Sequence, residues 1–69
     1  MNSICIGDNV LIRAGKYNIF KKDDIFNTDI KLAGEVADNM LDRNHADICL
    51  IRLFINKFII EVPVTNIVH

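Results

Sequence analysis

Sixty-nine residues with a formal net charge of −1 make one domain and lack the basic stripe that nucleic-acid binding requires. Half of the residues are apolar, and twelve Ile with five Val exceed four Ala and five Leu, a bias toward β-strands. No apolar run approaches the ~20 residues of a membrane span, and the N-terminus has neither an apolar signal segment nor an Arg/Ser-rich transit pattern, so a soluble chain working where it is made is expected.

Ile4-Cys-Ile leads into Gly7-Asp8, a turn pair because Gly accepts positive φ and Asp bonds nearby amides. Val10 and Ile12 then alternate with Leu11 and Arg13, the period of a first strand, which Ala14-Gly15 ends. Residues 16–31 hold no period for long. Ile19, Phe20, Ile25 and Phe26 are interrupted by Asn18, Asp23, Asp24, Asn27 and Asp29, and the segment reads as a long loop with one turn near Lys22–Phe26. A loop of this length in so small a domain is usually functional. It carries Tyr17, Phe20 and Phe26, and five of the eight Lys and Arg lie between Arg13 and Lys31.

Leu32–Ala37 is the second predicted strand, with Gly34 marking a bulge or a close backbone approach. Asp38–His45 reads as a polar connection, a short helix over Val36–Leu41 being the alternative. Asp47–Pro63 reads as a hairpin about an Asn56-Lys57 turn. In that register Ile55 faces Phe58, Leu53 faces Ile60 and Ile51 faces Val62 on the inner side. On the outer side Phe54 faces Ile59, and Arg52 meets Glu61 as an opposite-charge pair. Pro63 ends the strand, Val64–Ile67 makes a 3₁₀ turn, and Val68-His69 a last short strand. Strand, long loop, strand, hairpin, 3₁₀ turn and short strand is the order of an SH3-like barrel. The expected fold is therefore an all-β, five-stranded SH3-like small barrel spanning residues 1–69, with an OB-type barrel as the alternative.

Chemistry is sparse. Cys5 and Cys49 lack CxxC spacing and read as reduced core residues. His45 and His69 have no partners at metal-ligand spacing and read as solvated, and the Asp pairs have no apolar surroundings to split their pKa values. With no phosphate loop or nucleophile–base pair, no catalytic, metal or cofactor-binding residue is assigned. Partner binding is assigned instead to two sets. Tyr17, Phe20, Lys21 and Lys22 lie in the long loop, where aromatic anchors and cations suit an interface. Ile48, Leu50, Phe54 and Ile59 lie on the outer hairpin face, an apolar stripe that the long loop or another subunit must cover.

Gly7-Asp8-Asn9-Val10, a twenty-residue loop and Gly34-Glu35-Val36, followed more weakly by Ile48–Phe54 and Phe58–Val68, resemble the variable (alpha) chain of ferredoxin–thioredoxin reductase over most of the sequence. That resemblance implies a non-catalytic subunit of the plastid stroma or bacterial cytoplasm. It would bind and steady a larger catalytic chain or photosynthetic complex, and the iron–sulfur cluster would sit in the partner. Two other small barrels are similar, the photosystem I stromal subunit that docks ferredoxin and the nitrogen-fixation accessory protein NifZ. A stand-alone protein-binding adaptor is a further alternative. The barrel of type II dihydrofolate reductase is similar too, but its Gln-x-Tyr motif is missing near Ile60-Glu61-Val62.

Overall fold

A computed structural model describes residues 4–41 and 47–68. Seven strands alternate with turns: β1 (Asn9–Ile12), β2 (Gly15–Ile19), β3 (Ile25–Thr28), β4 (Leu32–Leu41), β5 (Asp47–Leu53), β6 (Ile59–Pro63) and β7 (Ile67–Val68), with a 3₁₀ turn at Val64–Asn66 before the last. All seven join in one antiparallel sheet of order β3-β2-β6-β5-β4-β1-β7. The all-β expectation holds. The strands number seven rather than five, and β3 and β7 remain free edges, so hydrogen bonding does not close the sheet.

The sheet must nevertheless curl. β1 and β2 lie four strand positions apart in the sheet order, about 19 Å on a flat sheet. The link from Ile12 to Gly15 spans at most ~11 Å. Curling turns one face of the sheet inward, and apart from Leu50 the buried residues follow the two-residue period. Val10 and Ile12, Tyr17 and Ile19, Val36, Cys49, Ile51 and Leu53, Ile60 and Val62, and Ile67 form one apolar cluster. Most are β-branched or aromatic, side chains that pack well on a pleated surface.

The expected Gly7-Asp8 turn is present. Gly7 takes φ +95°, and Asp8 Oδ2 accepts from the Cys5 amide at 2.9 Å. Three expectations are corrected. Residues 16–31 are not a loop but mainly the β2–β3 hairpin, in which Tyr17 pairs with Phe26 and Asn18 with Ile25. The Ile19 amide donates to Asp24 O (3.0 Å) and the Lys22 amide to Ile19 O (3.1 Å), so the turn falls at Phe20–Asp23. Residues 36–41 are strand, not polar connection or helix, with a bulge between Val36 and Asp38. The rest of that connection, with His45, lies outside the described residues, as does His69.

The third correction concerns the β5–β6 register. Arg52 pairs with Ile59, Ile51 with Ile60 and Leu50 with Glu61, a slip of two from the expected pairing. The Leu53 amide donates to Phe58 O (2.8 Å) and the Lys57 amide to Leu53 O (2.9 Å), closing a loop over Phe54–Lys57. Phe58 N also donates to Asn56 Oδ1 (2.9 Å). Because the slip is even, Ile51, Leu53, Ile60 and Val62 stay inside as expected. Ile55 (73% exposed) and Phe58 (42%) leave the core. Arg52 does not meet Glu61; its guanidinium lies 3.8 Å from Glu35 across β4.

Candidate docking surface

The β2–β3 turn and the β5–β6 loop come side by side because β2 pairs with β6. Ile19 is opposite Ile60, and the Phe20 amide donates to Ile59 O at 2.8 Å. Both connections are short and lack Gly, and each turns through a residue of positive φ, Lys21 at 60° and Lys57 at 64°. A β-carbon makes this conformation costly, by about 1–2 kcal/mol. Gly or Asn is the ordinary occupant. Lysine holds both positions here.

Between the two connections runs a groove of about 260 Å³ lined by Ile19, Phe20, Lys21, Lys22, Lys57, Phe58 and Ile59. Its apolar surface comes from two phenylalanines and two isoleucines and its charge from three lysines, with no carboxylate in the lining. Phe58 is held from behind by an edge-to-face contact with Phe26, centroids 6.3 Å apart and rings at 86°. Lys21 Nζ stands 5.4 Å from the Phe20 ring centroid, which keeps the cation beside the aromatic face. A larger, open cleft lies beyond Lys21 and Lys22 and is lined also by Asp23, Asp24 and Glu61. Its charges offset one another, and Asp24 Oδ1 is taken by the Ile25 amide (2.8 Å). The smaller groove is the one with a single sign of charge over an apolar floor.

The structure brings Phe20, Lys21, Lys22 and Ile59 of the expected sites together in this groove. Tyr17 is 2% exposed and belongs to the core. Its hydroxyl donates to Arg13 O (2.6 Å) and accepts from Asn66 Nδ2 (3.2 Å), pinning the β1–β2 link to the 3₁₀ turn. Leu50 is buried and Ile48 half-buried, so neither presents an open apolar face. Phe54 is exposed but outside the groove lining, at the start of the β5–β6 loop beside Ala33, whose carbonyl accepts from the Phe54 amide at 3.2 Å. Lys57 and Phe58 were missed as site residues, because the assumed register made Phe58 core and Lys57 a generic turn residue.

The groove lining contains no Ser, Thr, Cys, His, Asp or Glu. Elsewhere, Cys49 is buried and its Sγ donates to Asn39 Oδ1 at 3.3 Å. Burial first, and the Asp47 charge second, push its thiol pKa up, which makes it a poor nucleophile. Cys5 is exposed. Among the described residues no three His, Cys, Asp or Glu gather as a metal site, and no helix is long and apolar enough to cross a membrane. Family models, curated proteins and solved structures, compared with this chain, give no match.

Proposed function

We propose that this chain is a non-catalytic accessory subunit, an SH3-like small barrel that holds an acidic segment of a larger protein in the Phe20–Phe58 groove. The observation that carries this reading is the lining itself, two aromatic rings and three lysines with no carboxylate among them. Aromatic anchors supply buried area at low entropic cost, and the lysines select a partner of opposite charge. Lysine at two positive-φ positions, where glycine would relieve strain, fits a need for the ammonium groups.

The SH3-like description is supported by chain order. A long excursion, here a hairpin, joins β1 to β4; β4, β5 and β6 form a meander; and a 3₁₀ turn returns β7 to β1. Such a scaffold serves many purposes, so function rests on the groove and not on the fold. The resemblance to the variable chain of ferredoxin–thioredoxin reductase rests on Gly7–Val10 and Gly34–Val36. It would make the partner an iron–sulfur catalytic chain in a plastid or bacterium.

Affinity capture from lysate of the native source, with mass spectrometry, tests both levels. Wild-type protein should retain a partner that the Phe20→Ala, Lys21→Ala double variant loses while its circular dichroism stays unchanged. Equal retention by both would remove the groove from the account. Recovery of partners without iron–sulfur or photosynthetic proteins would remove the redox assembly.

A further inference from the structure

Size and lining narrow the occupant of the Phe20–Phe58 groove further than charge alone. Its volume of about 260 Å³ lies below the roughly 300–1,000 Å³ of clefts that enclose a drug-sized ligand. It suits one large side chain. The walls are also pre-formed. The Lys22 amide donates to Ile19 O (3.1 Å), the Phe20 amide to Ile59 O (2.8 Å) and the Leu53 amide to Phe58 O (2.8 Å), while Phe26 packs edge-on against Phe58. Binding therefore has little ordering of the groove left to oppose it.

Two features of the lining select the side chain. Every lining side chain is aliphatic, aromatic or an ammonium donor, so none accepts a hydrogen bond. The carbonyls of Ile19, Phe58 and Ile59 already accept the amides named above. An inserted indole N–H would lose the bond it makes in water, a cost that Leu or Phe avoids. The cations are the second feature. Lys21 and Lys22 stand on one wall and Lys57 on the other. Lys21 and Lys22 also border the cleft that holds Asp23, Asp24 and Glu61. Yet among the described residues the only ion pair is Arg52 with Glu35, so none of the three lysines is paired there.

From this lining we infer that the groove takes a single apolar anchor, Leu or Phe, from a partner segment that places a carboxylate on each side of it. This rests on the acidic-segment reading of the groove and adds to it the anchor and the two-sided flank. The anchor covers the Phe and Ile surfaces, and its flanking carboxylates meet Lys21 and Lys22 on one wall and Lys57 on the other. A second copy of this chain is the poorer occupant. Its Ile30 is 65% exposed and follows Asp29, but Lys31 comes next in the chain. Self-docking of that segment would set a fourth cation beside three.

The probe is a short capped peptide with a central Leu between paired glutamates in a Gly-Ser background, titrated into the ¹⁵N-labelled full chain. Amide shifts should concentrate at Lys21, Lys22, Lys57 and Phe58. Ser in place of the central Leu should weaken binding at least about tenfold, and a Trp centre should bind several-fold more weakly than Phe. Peptides with glutamates on one side only should bind more weakly than the two-sided peptide. Lys57→Asn, which keeps a residue tolerant of positive φ, should erase that advantage while core amides such as Ile51 and Ile60 keep their positions. The inference fails, with the acidic-segment reading intact, if glutamates without an apolar centre bind as tightly, if Trp matches Phe, or if one-sided peptides match the two-sided one. It also fails if the chain alone self-associates and Ile30→Ser abolishes this, which would make a second copy the occupant. Both the inference and the reading fall if no peptide moves the groove amides at millimolar concentration, or if anionic phosphatidylglycerol vesicles move them and the peptides do not.

Discussion

Replacing Gly34 by Ala should destabilise the protein more than a single methyl group suggests. A β-carbon there would stand 2.5 Å from Ile51 Cγ2, 2.8 Å from Arg52 O and 3.3 Å from Arg52 C, all nearer than ordinary contact. None of these atoms moves cheaply. Ile51 is fully buried and β-branched, so its χ1 is stiff, and Arg52 O belongs to the β4–β5 pairing. Relief requires an off-rotamer Ile51 or a wider β4–β5 spacing, and overpacking of this kind costs about 1–3 kcal/mol. Because backbone and side chain both resist, the upper half of that range applies, less the ~0.4–1 kcal/mol gained by restricting the unfolded chain. The net loss is about 2 kcal/mol, which lowers Tm by roughly 8–16 °C in a domain of this size. Thermal and urea unfolding followed by circular dichroism would measure it. In an Ile51→Leu background, which removes Cγ2, the Gly34→Ala effect should shrink. A Tm unchanged within about 2 °C in the wild-type background would refute the close β4–β5 approach.

Tyr17→Phe removes the hydroxyl that joins Arg13 O to Asn66 Nδ2 and should cost about 1 kcal/mol in thermal unfolding. Lys21→Gly and Lys57→Gly, at φ 60° and 64°, should each leave stability unchanged or raise it by up to about 1 kcal/mol, yet weaken capture of the partner. Stability measured against pH isolates Cys49. Its thiol pKa is raised in the folded state by burial and then by Asp47, so the native protein holds that proton more tightly than the unfolded chain. The contribution is fully present below the unfolded thiol pKa of about 8.5 and is lost as pH rises through the folded value. Urea unfolding of Cys49→Val should lack this alkaline decline.

The core was legible where hydrophobic alternation ran uninterrupted, in Val10–Ile12, Ile51–Leu53 and Ile60–Val62. The β2–β3 hairpin was not. Its turn residues, Phe20–Asp23, contain no Gly or Pro, and Lys21 takes the positive φ that those signals normally announce. Alternation persists there only as Tyr17, Ile19 and Phe26, too few positions to set a period. The hairpin register failed for a different reason. Pairing Arg52 with Glu61 satisfied charge, and an even slip leaves every face unchanged, so periodicity could not detect the error. What decided it was the Phe54–Lys57 loop, closed by Asn56 and by an unusual Lys57. Half of the groove was visible in Phe20, Lys21 and Lys22; the other half depended on that register.

The most direct test of the groove is a photo-crosslinkable phenylalanine analogue at position 58, with the same analogue at Ile6, an exposed site in the N-terminal segment, as control. Irradiation in lysate of the native source should join position 58, and not position 6, to one acidic segment of a larger protein. Lys21→Glu combined with Lys57→Glu should abolish that adduct. Equal adducts at both positions, or adducts at position 58 that survive the charge reversal, would contradict it.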